Sequence, residues 1–312
     1  MARPIRLDAI LAKVETTYGV DAQPQSASDG VRVSERVWSS LSIEYAFPGR
    51  RDDAASGALI PLGPVGRKGR IVNLSVAWEA RGAGASYSET VKPEASALFR
   101  ACGHSETLES GRYVYAPADT GHESCTIYAY AGGMLFKIVG CRGSVTWPVD
   151  AGAVGIIRFE MQGLLLDDPV PASLPAVTYQ AQLPPVAAGM VLQVGGWTPE
   201  KVISAEFASG VELQRIDDAT AADGVREFAV TLINPSYRIQ TYAADLAVYD
   251  PYAQSRAGSA VTITQTLGTQ TNNKIVLSTS QAYLETAGHT DQNSFAAWDL
   301  QFQVRDYTIT FE

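Results

Sequence analysis

Two stretches of this chain alternate apolar and polar residues and then slip phase near their ends, at matching places in its two halves. In the first half Ile157, Phe159 and Met161 precede a slip at Gln162-Gly163, before Leu164 and Leu166. In the second half Trp298, Leu300, Phe302 and Val304 precede a slip at Arg305-Asp306, before Tyr307, Ile309 and Phe311. Upstream of each lie an alternating strand, a short helix and two or three further strands. Alternation at period two demands a sheet with one buried face, because a one-residue register slip would turn every apolar side chain outward. The expectation is a mainly β protein of two tandem sandwich- or barrel-like units, each flanked by a short helix. The units span 1–166, with an N-terminal arm, and 187–312.

The helix over 7–18 rests on Leu7, Ile10, Leu11 and Val14 at helical spacing, closed by Gly19. Residues 21–30 read as an arm or loop, and 32–37 and 41–45 as strands. Segment 48–69 holds five Gly and three Pro in 22 residues, which makes it a long loop in need of a purpose. The clearest strand is 71–79, with Val72, Leu74, Val76 and Trp78 on one face. Pro93 and Glu94 open a helix lined by Ala95, Leu98, Phe99 and Cys102 and stopped at Gly103. Strands at 124–130 and 134–139 flank the hairpin turn Ala131-Gly132-Gly133, and 144–149 and 156–162 follow. Five prolines in 167–186 mark an extended linker where a tandem duplication places its joint. The second half offers strands at 191–194, 202–207, 211–216, 227–233, 261–267, 274–278 and 297–304. A helix is expected over 242–249, stopped before Pro251.

Composition narrows function mainly by exclusion. With 24 basic against 33 acidic side chains and a net charge of −9, the chain lacks the basic excess of a nucleic-acid grip. Three cysteines, Cys102, Cys125 and Cys141, are an odd number and suit a reducing compartment. No apolar h-region opens the sequence and no apolar run reaches membrane-spanning length, so a soluble protein made in a cytoplasm is expected.

No Gly-x-Ser-x-Gly elbow, phosphate-binding Gly-rich loop or His-Glu-x-x-His motif occurs. Cys102 and His104 have no second close pair to complete a metal site, so neither a metal nor a cofactor is expected. The acidic pairs Asp52-Asp53, Asp167-Asp168 and Asp217-Asp218 sit beside chain breaks and read as solvated turns. Trp38, Trp78, Trp147, Trp197 and Trp298 are spread along the strands as packing residues. A duplicated sheet without a catalytic signature points to assembly, not to an enzyme.

The segment Ile10-Leu-Ala-Lys-Val-Glu-Thr-Thr-Tyr-Gly-Val-Asp-Ala22 resembles the opening of major tail tube proteins of long-tailed bacteriophages. The resemblance continues through Arg81-Gly-Ala-Gly84, 93–103, Tyr128-Ala-Tyr-Ala-Gly-Gly133, Gly140-Cys-Arg-Gly-Ser-Val145 and Phe159-Glu-Met-Gln-Gly-Leu164. It covers about 5–166, while the second half is tied to it by element order alone. It implies a tail-tube unit, a fold shared with type VI secretion tubes, here duplicated, whose copies close into rings that stack into a virion tail tube assembled in the host cytoplasm. It also implies a tape measure protein and tail-end proteins as partners, and DNA that passes without specific binding. With two units per chain, a homotrimeric ring is favoured over a homohexameric one. Arg50, Arg51, Asp52, Asp53, Arg67 and Lys68, with Arg70 nearby, are the candidate ring–ring contact. Two rival readings are a carbohydrate-binding or carbohydrate-hydrolysing β-sandwich and another virion part such as a tail terminator or decoration protein.

Overall fold

A computed structural model describes residues 8–47, 50–52, 62–65 and 68–312, with backbone alone at 50–52 and 62–65. The chain opens on strand β1 (Ala9–Val14), not on a helix over 7–18. Ala9, Ile10, Leu11 and Ala12 are all buried, so this run has two apolar faces and no period that separates helix from strand. Strand β2 (Gly30–Val31) pairs with β1. The strand expected over 32–37 shrinks to an isolated bridge between Val33 and Trp78, followed by the single turn α1 (Val37–Ser40). Trp38 on α1 is partly exposed and meets Phe136 edge-on, whereas the other four tryptophans are buried.

Strand β3 (Leu41–Phe47) leads into segment 48–69, which is more than a loop. It carries β4 (Arg50–Asp52) and β5 (Leu62–Val65), antiparallel to each other, with Arg50 opposite Val65. Strand β6 (Lys68–Glu79) then buries Val72, Leu74, Val76 and Trp78 as its alternation requires. Helix α2 (Ser96–Ala101) seats Leu98 and Phe99 in the core, and Gly103 ends it at φ +76°. A hairpin that the apolar pattern does not reveal follows, β7 (His104–Glu109) and β8 (Arg112–Pro117). Strand β9 (Cys125–Ala131) turns into β10 (Met134–Asp150), one strand of 17 residues in place of two. Strand β11 (Ile156–Leu165) and the short β12 (Val170–Pro171) complete the first half.

The phase slip expected at Gln162-Gly163 is absent from β11, where residues 157, 159, 161, 163 and 165 are buried in unbroken alternation. The irregularity lies in its partner β10, between Val139 and Arg142. Gly163 occupies an inward position because a Cβ there would stand 2.7 Å from Cys141 Sγ and 2.8 Å from Ile138 Cγ2. The buried carboxylate of Glu15 holds the bulge, accepting the Gly140 N–H at 2.8 Å and the hydroxyls of Ser124 and Thr126 at 2.6 and 2.9 Å. A buried carboxylate is tolerated only when donors satisfy it in this way.

The second half runs through β13 (Val191–Val194), β14 (Val202–Ala208), β15 (Val211–Asp217), β16 (Val225–Ile233) and β17 (Ser236–Tyr242). After it come α3 (Pro251–Ala257), β18 (Val261–Leu267), β19 (Ile275–Gln292), β20 (Phe295–Val304) and β21 (Thr308–Phe311). The helix expected over 242–249 is displaced, because Pro251 opens α3 instead of stopping a helix before it. Asp250 caps α3 by accepting the N–H groups of Tyr252 and Ala253, each at 2.9 Å. The slip at Arg305-Asp306 is present as the break between β20 and β21, where Asp306 accepts backbone N–H groups of Ser280 and Gln281. Strand β17 alternates through buried Tyr237, Ile239 and Thr241.

One core runs through both halves. Strand β10 pairs with β14, and β21 pairs with β8. Residues 167–186 touch both halves: Arg81, fully buried, donates to Gln182 O at 2.9 Å and Gln180 donates to Lys92 O at 2.7 Å, while Asn273 donates to Leu183 O at 3.0 Å. Gly82 meets the second half so closely that a Cβ would fall 2.0 Å from Asn272 O.

A buried hydrogen bond also crosses between the halves. His104 Nδ1–H donates to Phe99 O at 3.0 Å, and its Nε2 accepts from Tyr307 hydroxyl at 2.8 Å. Burial pushes the His104 imidazole down to about 4 from its ordinary 6.5, so it stays neutral when folded. Above pH 6.5 the group adds no pH dependence. As the medium acidifies from 6.5 to 4 the unfolded chain takes up a proton that the folded one refuses, and stability falls by about 3 kcal/mol in all. Denaturation midpoints measured across that range should drop for the native chain and flatten in His104→Gln. Parallel profiles for the two proteins would contradict this.

Candidate functional site

The same order of pairing appears in each half. In the first it is β3–β6–β11–β10–β9–β1. In the second it is β14–β17–β20–β19–β18–β13. The β10–β14 pairing joins them, so eight strands follow in succession: β3, β6, β11, β10, β14, β17, β20 and β19. Each strand contributes alternate residues to the core, which places a matching set of side chains on the opposite face.

That opposite face is largely polar, with Ala77, Pro148 and Ala208 set among its polar residues and Phe295 packed on Tyr242 at one end. Ser75 Oγ donates to Glu160 at 2.7 Å, and Gln162 Nε2 donates to Asn73 Oδ1 at 2.9 Å. Across the second half, Glu206 stands opposite Arg238, Arg238 opposite Gln301, and Gln301 opposite Thr286. Beside that row run Ser204, Gln240, Asp299 and Gly288. The sequence carries the signal for this wall in the polar partners of each alternating strand, yet the register that lines them up comes from β10 and β17.

The electrostatics of the face follow from its pairings. Arg158 donates to Glu35 at 2.6 Å, and that hydrogen bond holds the Glu35 carboxyl below its usual range. Arg238 donates to Asp299 at 2.7 Å through Nε. Exposed pairs of this kind contribute little stability, but they neutralise two cations that could otherwise hold an anion. Glu160, Glu206 and Asp150 are exposed and make no contact ion pair among the described residues. The face is hydrogen-bonding and net negative among its described side chains.

At one end the β15–β16 hairpin folds back over the first half. Phe228 is buried there; its N–H donates to Tyr18 hydroxyl at 2.9 Å, and its carbonyl accepts from Arg142 at 2.6 Å. Arg215 lies over the Phe47 ring at 5.6 Å.

Of the charged residues singled out in 48–69, only Lys68 has a described side chain. Arg50, Arg51 and Asp52 form β4, Lys68 is exposed at the start of β6, and Asp53 and Arg67 lie outside the described residues. Arg70 pairs with Asp168 at 2.9 Å. Cys102, Cys125 and Cys141 are free and buried. No described helix is long and apolar enough to cross a membrane. Over residues 7–304 the sequence matches a family model described as phage tail tube protein. No curated protein matches the chain.

Proposed function

The chain belongs to the phage tail tube protein family, a structural component of the virion tail, and we propose that its copies form stacked rings through which DNA leaves the particle. Membership in a structural family supports a non-enzymatic role. The observation that carries the reading is the eight-strand succession with one apolar and one largely polar face, of which the apolar face makes the core; in the proposed ring the polar face is the wall of the passage. A net negative wall whose arginines are already paired repels phosphate and leaves it nothing to grip.

The repeated pairing order supports a duplicated unit, with 167–186 as the joint between 1–166 and 187–312. Three chains then supply six quasi-equivalent units to a ring. Segment 48–69, with Arg50, Arg51, Asp52, Asp53, Arg67 and Lys68, is assigned to the contact between rings. A tape measure protein in the lumen and tail-end proteins at the termini complete the assembly. Cryo-electron microscopy of assembled tube should reveal three chains per ring, and deletion of residues 51–66 should leave rings that do not stack. Six whole chains per ring would overturn the trimer, and ordinary tubes from the deletion variant would free the segment from the ring–ring role.

A further inference from the structure

Cys125 of β9 and Cys141 of β10 stand directly opposite each other in the antiparallel ladder. Both are fully buried in the core, so their side chains share one face of the sheet, and the Cys141 thiol is in hydrogen-bonding contact with that of Cys125. Residues placed in this way keep their Cβ atoms about 4.5–5.5 Å apart, and a disulfide asks for about 3.5–4.5 Å. The backbone can close that gap because it is irregular here. The β9–β10 register shifts between Ile138 and Cys141, and the β10–β11 register between Val139 and Arg142. The third thiol is engaged elsewhere: Cys102, at the end of α2, lies 3.6 Å from Met161 Sδ.

We propose that Cys125 and Cys141 form an oxidisable pair, which a peroxide joins into a cross-strand disulfide after the virion has left its host. The inference concerns the folded chain alone and does not depend on the ring-forming reading.

Hydrogen peroxide is the oxidant that fits, because it is little larger than water and the buried thiols offer no open path to a bulky reagent. One thiol, as its thiolate, attacks a peroxide oxygen and becomes a sulfenic acid; the O–O bond breaks, and the departing hydroxide takes up the proton that the thiol released. The opposite sulfur then attacks the sulfenic sulfur. An S–S bond forms, the S–O bond breaks, and water leaves with the second thiol's proton. The two thiols give up two electrons, and the peroxide is reduced to two waters. Access comes from local opening at the bulge. Gly140 adjoins Cys141 and is covered by the half-buried ring of Tyr18, so closely that a Cβ there would meet it at 2.7 Å. Burial pushes the Cys141 thiol up, so little thiolate is present and the reaction is slow. Slowness leaves the pair reduced through synthesis and assembly in a reducing cytoplasm. The bond then ties β9 to β10 where both ladders of β10 are interrupted.

The test uses the full chain, purified under reductant and then held with dilute hydrogen peroxide until the half-buried Met134 is oxidised. After denaturation without reductant, alkylation should label only Cys102 of the three cysteines, and peptide mapping should recover Cys125 and Cys141 in one linked pair of peptides. The variant Cys102→Ser should form the same bond, whereas Cys125→Ser and Cys141→Ser should each keep both remaining thiols. The oxidised chain should unfold at higher urea than the reduced one, and treatment with a dithiol should restore the lower midpoint. Where a serine variant does not fold, mapping of the unsubstituted chain decides alone. Three labelled cysteines beside an oxidised Met134 overturn the pair, and so does a bond that includes Cys102 or joins two chains.

Discussion

Phe311→Ala is expected to destabilise the entire chain by about 3–5 kcal/mol, although the residue is one from the C-terminus. Its ring is fully buried at centroid distances of 5.9 Å from Trp78, 5.7 Å from Phe99 and 5.8 Å from Tyr115, all first-half residues. The strand that carries it adds to two others, with Phe311 opposite Tyr113 of β8 and Ile275 of β19. Truncation therefore opens a cavity where the halves meet, and neighbouring rings held by other contacts cannot collapse to fill it. Urea denaturation should give one transition, at a lower midpoint, whether followed by a probe in the first half or the second. A loss below about 1 kcal/mol, or a first half that melts where it did before, would mean that the shared core is two cores.

The second large effect concerns DNA. The native chain, as subunit or tube, should not retain duplex near physiological salt, because duplex affinity comes mainly from Lys and Arg displacing phosphate counterions. Glu160→Lys/Glu206→Lys places two unpaired cations on the polar face, where both parent residues are exposed. That change moves the face by about four charges per chain, multiplied around the ring, so tubes of the variant should shift duplex in a gel at low salt and release it as salt rises. The same tubes should eject DNA more slowly. An unchanged gel shift would place this face away from the passage. Duplex binding by the native tube would instead overturn the idea of a non-adhesive wall.

Much of the fold could be read from period two alone. Strands β6, β11 and β20 alternate so cleanly that their buried faces follow from residue type, as in Val72, Leu74, Val76 and Trp78. The helix around Leu98 and Phe99 was equally legible, because Pro93 and Gly103 bracket it. Short runs misled. Ala9–Val14 carries apolar residues at helical spacing, yet it is a strand because β9 and β2 offer it pairing on both sides. Strand β17 is masked in the sequence because its inward set includes Thr241, which reads as polar and is buried with its hydroxyl donated to Lys201 O. The strands of 48–69 were hidden by glycine and proline, which weaken strand propensity without forbidding a hairpin.

What the sequence by itself determined is the class of structure: sheets with one apolar and one polar face, few helices and no catalytic signature. Side-chain period and local breakers set those properties, and neither depends on distant contacts. Only the tertiary structure decided which strands are neighbours, that Gly140-Cys141 and not Gly163 is where the ladder shifts, and that β10 is shared between the halves. Strand partners are chosen by backbone hydrogen bonds between residues far apart in the chain, and those groups are identical in every residue but proline. The pairing therefore leaves almost no local trace, and it is the pairing that aligns Glu160, Arg158, Glu206 and Arg238 along one continuous wall.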